Sequence, residues 1–239
     1  MEIVGNSSEE VLKKEAGAYL SSLLMKTGGE PTLVLFSSGS ALEMLSYVTV
    51  PEDTSNLTLG VLDERFTKNP KENNCASLKE TTFYKNATLR GARTIDTSMR
   101  FERVETLAET MNSAWEKWIE KNPSGHILAT FGMGADGHTA GIMPYPEDSG
   151  MFDILFEDKR RAVVGYDARG KNAIPLRATA TLPFLRTHIM GGVAYITGEN
   201  KRPALERALH DTGTIAETPA RIFKEMQSIQ LFTNSIETN

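Results

Sequence analysis

A chain of 239 residues, 40% hydrophobic and 24% charged, carries enough apolar side chain for a full core without covalent staples. Its 31 acidic residues outnumber 26 basic ones, a net charge of -5, which argues against a surface built to neutralise a nucleic-acid backbone; a small anion needs only a few local cations. The lone cysteine, Cys75, excludes an intrachain disulfide, the absence of a Cys/His cluster argues against structural zinc, and no run reaches the roughly 20 apolar residues of a membrane span. The N-terminal stretch MEIVGNSSEEVLKKEAGAYL is charged throughout and lacks the apolar core of a signal peptide, so a cytoplasmic location away from membranes is expected.

In chain order, Ser7 or Ser8 is placed to cap a helix whose apolar positions Val11, Leu12, Ala16, Leu20, Leu23 and Leu24 recur at helical spacing until Gly28 and Gly29 stop it. TLVLF (32–36) reads as a buried strand, followed by the small-residue turn Ser37–Ser40 and a helix over ALEMLSYV. LTLGVL (57–62) is a second strand ending at Asp63, Glu64 and Arg65, with a polar loop and a helical stretch behind it. Val104, Leu107, Met111, Trp115 and Trp118 predict an amphipathic helix within 100–121, which feeds the strand HILATF (126–131). Residues 144–150 read as a loop, RAVVGY (161–166) and IMGGVAYIT (189–197) as strands, ENKRPALERAL as a helix and SIQLF as a last strand. This alternation predicts a single α/β domain over residues 1–239, a Rossmann-like, doubly wound fold with a mostly parallel sheet and helices on both faces. Such sheets bind ligands beyond the carboxyl ends of their strands, where the loops at 37–40, 63–65, 132–138 and 198–201 would converge.

The stretch FGMGADGHTAGIMP, from Phe131 to Pro144, carries the densest chemistry. Gly132, Gly134 and Gly137 satisfy G-x-G-x-x-G after a strand, but Pro144 and Pro146 cut short the helix a dinucleotide needs and Asp136 would set a carboxylate beside the phosphates. Asp136 and His138 lack a third metal ligand, since His126, His188 and His210 have no ligand spacing, so no metal is expected. Two readings remain. The glycines merely permit a tight turn, or they let backbone approach a ligand while Asp136 holds the His138 ring for proton transfer.

From Gly132 to Ala140, and on to Pro144, the chain resembles the G-x-G-x-D-G-H-T-A-S-L-F-P signature of the 6-phosphogluconolactonases, whose superfamily also holds the glucosamine-6-phosphate isomerases, or deaminases. LFSSGSALEML resembles the family's L-S-G-G-S-T-P loop, and VLDERF with Asn73-Asn74 its D-E-R-x-V and S-N segments. The run from Ile174 to Thr179 resembles P-x-x-R-x-T, and Thr197 to Lys201 resembles T-G-x-x-K. Five short matches in the family's order span nearly the whole chain.

The resemblance implies hydrolysis of 6-phospho-D-glucono-1,5-lactone to 6-phosphogluconate, a step of the oxidative pentose phosphate pathway, without metal or organic cofactor. His138 would be the general base on water, Asp136 would orient it or line the sugar site, and Arg65 is a candidate donor to the oxyanion. Substrate contacts would come from Ser38, Gly39, Ser40, Asp63, Glu64, Gly132, Gly134 and Gly137, with Arg177 and Lys201 as phosphate cations. The partner implied is a phosphorylated sugar lactone, with no nucleic acid or membrane; the oligomeric state is not implied. Deaminases place an acid before the loop proline, where this chain has Met143, and Thr139 follows the histidine as in lactonases. A non-catalytic sugar-phosphate sensor is the third reading, but no helix-turn-helix precedes residue 30. Departures from the family pattern at Ser38, Ala41, Leu42, Met143 and Arg186 leave sugar preference open.

Overall fold

Short apolar runs without polar alternation belong in a sheet covered on both faces, and five of those read from the sequence lie there. The computed structural model describes residues 1–236. It begins with β1 (Glu2–Gly5) and α1 (Glu9–Lys26), whose start is capped by the Ser8 hydroxyl accepting from the Val11 N–H at 3.4 Å. Then β2 (Thr32–Phe36) leads into a 3-10 helix, Gly39–Tyr47, and β3 (Leu57–Val61) runs almost directly into β4 (Asp63–Arg65). Two short helices, α2 (Asn74–Lys79) and α3 (Thr82–Leu89), precede the two-residue strand β5 (Arg93–Thr94). The long α4 (Val104–Lys121) delivers β6 (His126–Phe131), followed by α5 (Ser149–Phe156), β7 (Val163–Asp167) and β8 (Leu176–Ala180). The chain continues through α6 (Leu182–His188), β9 (Gly191–Ile196), α7 (Arg202–Leu209) and β10 (Ile229–Thr233).

Seven strands form a parallel sheet in the order β1-β10-β9-β6-β2-β3-β5. Every residue of β2, β3, β9 and β10 is buried, as the apolar runs require. From β2 the chain moves outward to β3 and β5, then returns to the opposite side of β2 with β6; the topological switch point therefore lies between β2 and β6. Both strands are fastened there by the Ser37 N–H, which donates to the Thr130 carbonyl at 3.2 Å and the Thr130 hydroxyl at 3.1 Å. Helices flank the sheet, and the buried apolar side chains form one continuous cluster.

A second sheet, β4-β8-β7, is antiparallel. Its register sets Asp63 opposite Thr179 and Arg65 opposite Arg177. Helix α4 packs on β7 and β8, while its Trp118 indole donates to the Thr58 hydroxyl of β3 at 3.1 Å, so one helix joins the two sheets. Trp115 of α4 is fully buried against Phe184, ring centroids 4.8 Å apart.

Several elements depart from the sequence reading. The strand read at 161–166 is β7, which pairs only in the second sheet, because its partner β8 comes from the LRATA run that carries no apolar signal of its own. The helix expected after the serine turn is 3-10 in form. Residues 144–150, read as a loop, include Asp148, whose carboxylate accepts from the Met151 N–H at 2.9 Å and starts α5. The helix read from Glu199 opens as a 3-10 turn, Glu199–Lys201, before Pro203 in the first turn of α7. No helix among the described residues is long and apolar enough to cross a membrane.

Candidate active site

The four strand-end loops line one open cleft. Ser37 to Ser40 come from the end of β2, Asp63 and Arg65 from β4, Gly132 to Gly134 and His138 to Gly141 from the loop after β6, and Lys201 from the turn after β9. Arg177 of β8 completes the wall. The switch point explains the convergence, since β2 and β6 diverge in connection at the end where both loops begin.

His138 is held by its own loop. The Asp136 carboxylate lies 2.6 Å from Nδ1 of the ring and also accepts from the His138 backbone N–H at 3.1 Å. That acceptor places the proton on Nδ1 and leaves Nε2 as the ring's basic nitrogen. Burial pushes the Asp136 carboxyl up, but the hydrogen bond and charge of His138 outweigh it and hold the group below the usual carboxylate range. The loop is closed by the Gly134 N–H donating to the His138 carbonyl at 2.9 Å and by the Thr139 hydroxyl donating to the Gly132 carbonyl at 2.7 Å. A Cβ on Gly134 would lie 2.2 Å from His138 Nδ1 and 2.6 Å from Asp136 Oδ1, so only glycine fits beneath the pair. Accordingly, Gly134→Ala is expected to push the ring out of place and lower turnover by about 100-fold, the order seen for an ångström of misplacement. Steady-state kinetics with a thermal melt as folding control checks this.

The charged wall is built on the second sheet. Arg177, 3% exposed, donates to Asp63 Oδ2 at 3.4 Å, to Asn172 Oδ1 at 3.0 Å and to the Ile174 carbonyl at 3.2 Å. Asn74 holds Asp63 from the other side, donating to its carbonyl at 2.8 Å and its carboxylate at 3.2 Å. Arg65 donates to the Glu72 carbonyl at 3.4 Å, and its buried Nε has no hydrogen-bond partner among the described residues. Lys201 is half-buried, and burial lowers its ammonium pKa against the pull of Glu9 and Glu43. Ser38 stands at the N-terminus of the 3-10 helix without a side-chain capping bond, so the first-turn N–H groups face the cleft region unspent by that hydroxyl.

Three of the sequence-predicted residues do not line this cleft. Glu64, read as touching substrate, is wholly buried on the opposite face of β4 from Asp63 and Arg65, because neighbouring strand residues point to opposite faces. Gly137 backs onto Thr218, 2.8 Å from where its Cβ would be, and its carbonyl accepts from the Ala220 N–H. Asp136 lies behind His138, within reach of the ring that one of its expected roles, the other being to line the sugar site, has it orient, and on the rim of a neighbouring cavity.

The sequence reading passed over Gly141, whose φ of +73° follows the +50° of Ala140. A Cβ on Gly141 would come within 2.7 Å of Asp63. The carbonyls of Ala140 and Gly141 accept from the Thr179 and Tyr166 hydroxyls, tying the histidine loop to the second sheet. Two successive backbone positions at positive φ were the missed signal, hidden in an Ala-Gly pair that reads as an ordinary turn.

A family model described as glucosamine-6-phosphate isomerases/6-phosphogluconolactonase matches residues 8–232. The chain belongs to this family. Among solved structures it is similar to the 6-phosphogluconolactonase of Trypanosoma brucei, at 16% identity and a TM-score of 0.74, over 97% of this chain and 95% of that one. The enzyme of Shewanella baltica aligns at 17% identity and a TM-score of 0.72, over 97% and 95%. That of Thermotoga maritima aligns at 21% and 0.67, over 96% and 97%. No curated protein sequence matches. Within the glucosamine-6-phosphate isomerase/6-phosphogluconolactonase fold, the departures of this chain fall away from the cleft except at Ser38. Ala41 and Met143 are wholly buried, and Arg186 makes a surface ion network with Glu157, at 2.7 and 2.8 Å, and Glu225 at 2.5 Å.

Proposed function

We propose that the protein hydrolyses a phosphorylated sugar lactone, 6-phospho-D-glucono-1,5-lactone, with His138 as general base. The observation that carries this reading is His138, paired with Asp136 at 2.6 Å, on the wall of a cleft that also holds Lys201 and the serine turn. Water bound at Nε2 gives its proton to the ring as its oxygen attacks the lactone carbonyl carbon, and Asp136 stabilises the imidazolium. The tetrahedral oxyanion is met by the Arg65 guanidinium. Collapse breaks the bond to the ring oxygen, which leaves as the sugar hydroxyl carrying the proton returned by His138; the product is the open acid. The phosphate takes the N–H groups and hydroxyls of Ser38, Gly39 and Ser40, with Lys201 as point charge. Arg177, already committed to three acceptors, shapes the wall and holds Asp63.

Hydrolysis needs one proton carrier; ring opening and aldose–ketose isomerisation of an amino sugar need more. The position of the deaminases' acid is the wholly buried Met143, and the cleft's other carboxylate, Asp63, is committed to Arg177 and Asn74. The same reading places the enzyme in the cytoplasm, in the oxidative pentose phosphate pathway. Freshly generated 6-phosphogluconolactone, corrected for spontaneous opening, is expected to be hydrolysed, while glucosamine 6-phosphate releases no ammonia. Ammonia release without lactone opening moves the chain to the deaminase branch, and binding of the sugar phosphate without turnover of either makes it a sensor.

A further inference from the structure

Glu64 is the one member of the Asp63-Glu64-Arg65 run that does not line the cleft, yet it accepts four hydrogen bonds beside it. Its Oε1 accepts from the Arg65 N–H at 2.8 Å and the Asn74 N–H at 2.7 Å, and its Oε2 from the Cys75 N–H at 3.0 Å and the Thr97 hydroxyl at 2.7 Å. Four donors from three chain segments fill its acceptor sites. At the N-terminus of α2, Asn73 accepts from the Ala76 N–H at 2.7 Å and leaves the Asn74 and Cys75 N–H groups to Glu64. What Glu64 adds is a link between that segment and β4. Two of the segment's groups act on the cleft: the Asn74 amide grips Asp63, and the Glu72 carbonyl receives the Arg65 guanidinium.

We infer that Glu64 is a positioning residue, whose buried carboxylate clamps the 72–75 segment and Thr97 against β4 and thereby sets Arg65 and Asp63 in the cleft. Burial pushes the Glu64 carboxyl up to about 7, against the pull of the donors on Asn74, Thr97, Cys75 and Arg65. The titratable groups around it are Arg65 and Asp63 on its own strand, the Cys75 thiol of α2, itself pushed up by burial, and Asp96, 3.6 Å from the Cys75 sulfur. A protonated Glu64 brings a hydrogen into a ring of donors, so one of them must release. The folded pKa lies above the roughly 4.3 of a free glutamate, so the stability from this proton is full below about 4.3 and fades as pH rises through about 7.

The test is Glu64→Gln, alone and with Arg65→Ala. The kinetic arm rests on the lactonase reading; a crystal structure of the variant does not. Glu64→Gln is expected to lower kcat by about 10-fold or more with KM within about 2-fold, since a displaced donor harms the transition state more than binding. On the Arg65→Ala background the same change should lower kcat by less than about 2-fold, the non-additivity of groups acting through one another. The crystal structure should show the Arg65 guanidinium and the Asp63 carboxylate moved from their places. Unmoved side chains, or effects that multiply across the two backgrounds, overturn the inference, as does a lowered melting temperature with full kcat. Should Glu64→Gln fail to fold, Thr97→Val, which removes one donor at nearly constant volume, carries both arms with the same expectations at smaller size. Wild-type inactivity on the lactone removes the functional reading, and the crystal arm still decides the clamp.

Discussion

Replacing His138 by glutamine is expected to lower kcat for lactone opening by about 10²–10⁴, the contribution of a positioned general base. Glutamine approximates the size of the ring and can still donate to Asp136, but it cannot take up a proton from water. KM should stay within about threefold of the wild type, because the groups assigned to the phosphate lie on the loops after β2 and β9 while His138 lies on the loop after β6, and uniform binding is separable from transition-state effects. Initial rates on freshly made lactone, with the spontaneous rate subtracted at each pH, give both constants. A His138→Gln enzyme that keeps more than a third of wild-type kcat removes His138 from the chemistry and shifts attention to Asp63, the one carboxylate on the cleft wall among the described residues.

The parts of this site that the sequence makes legible are those where local pattern and tertiary position coincide. TLVLF and HILATF are buried strands because nothing polar interrupts them, and the loops that follow them meet because parallel strands put all their carboxyl ends on one side. The β4 and β8 runs, DER and LRATA, carry no such pattern. β4 forms a strand only because β8 lies beside it, and β8 lies between β4 and β7, pairings between positions 63–65, 176–180 and 163–167 that no local window contains. The side on which Glu64 falls follows from that pairing, so the run reads in sequence as three equivalent polar residues. Gly134 is legible as a glycine of a tight loop, but its reason, a ring nitrogen where its Cβ would sit, exists only once Asp136 and His138 have closed on each other.

The buried ion pair between the two halves of the second sheet carries the largest stability effect expected. Arg177→Met leaves the Asp63 carboxylate, 5% exposed, with Asn74 alone, and strips donors from Asn172 and the Ile174 carbonyl. Removing one partner of a buried pair costs about 3–5 kcal/mol because the other charge stays desolvated and uncompensated. For a chain of this length the melting temperature should fall by on the order of 10 °C, at roughly 2–4 °C per kcal/mol. The second change, Asp63→Leu on the Arg177→Met background, removes the stranded charge and should recover at least half of the loss, since an apolar pair of similar volume often replaces a buried ion pair without penalty. Urea unfolding of the two variants against the wild type measures both steps. Full stability in Arg177→Met would mean that Asp63 finds other partners. Recovery in the double variant without return of activity would separate the pair's part in holding β4 against β8 from its part in shaping the cleft, and that separation is what a wall residue buried at 3% exposure, with three donors turned to protein acceptors, requires.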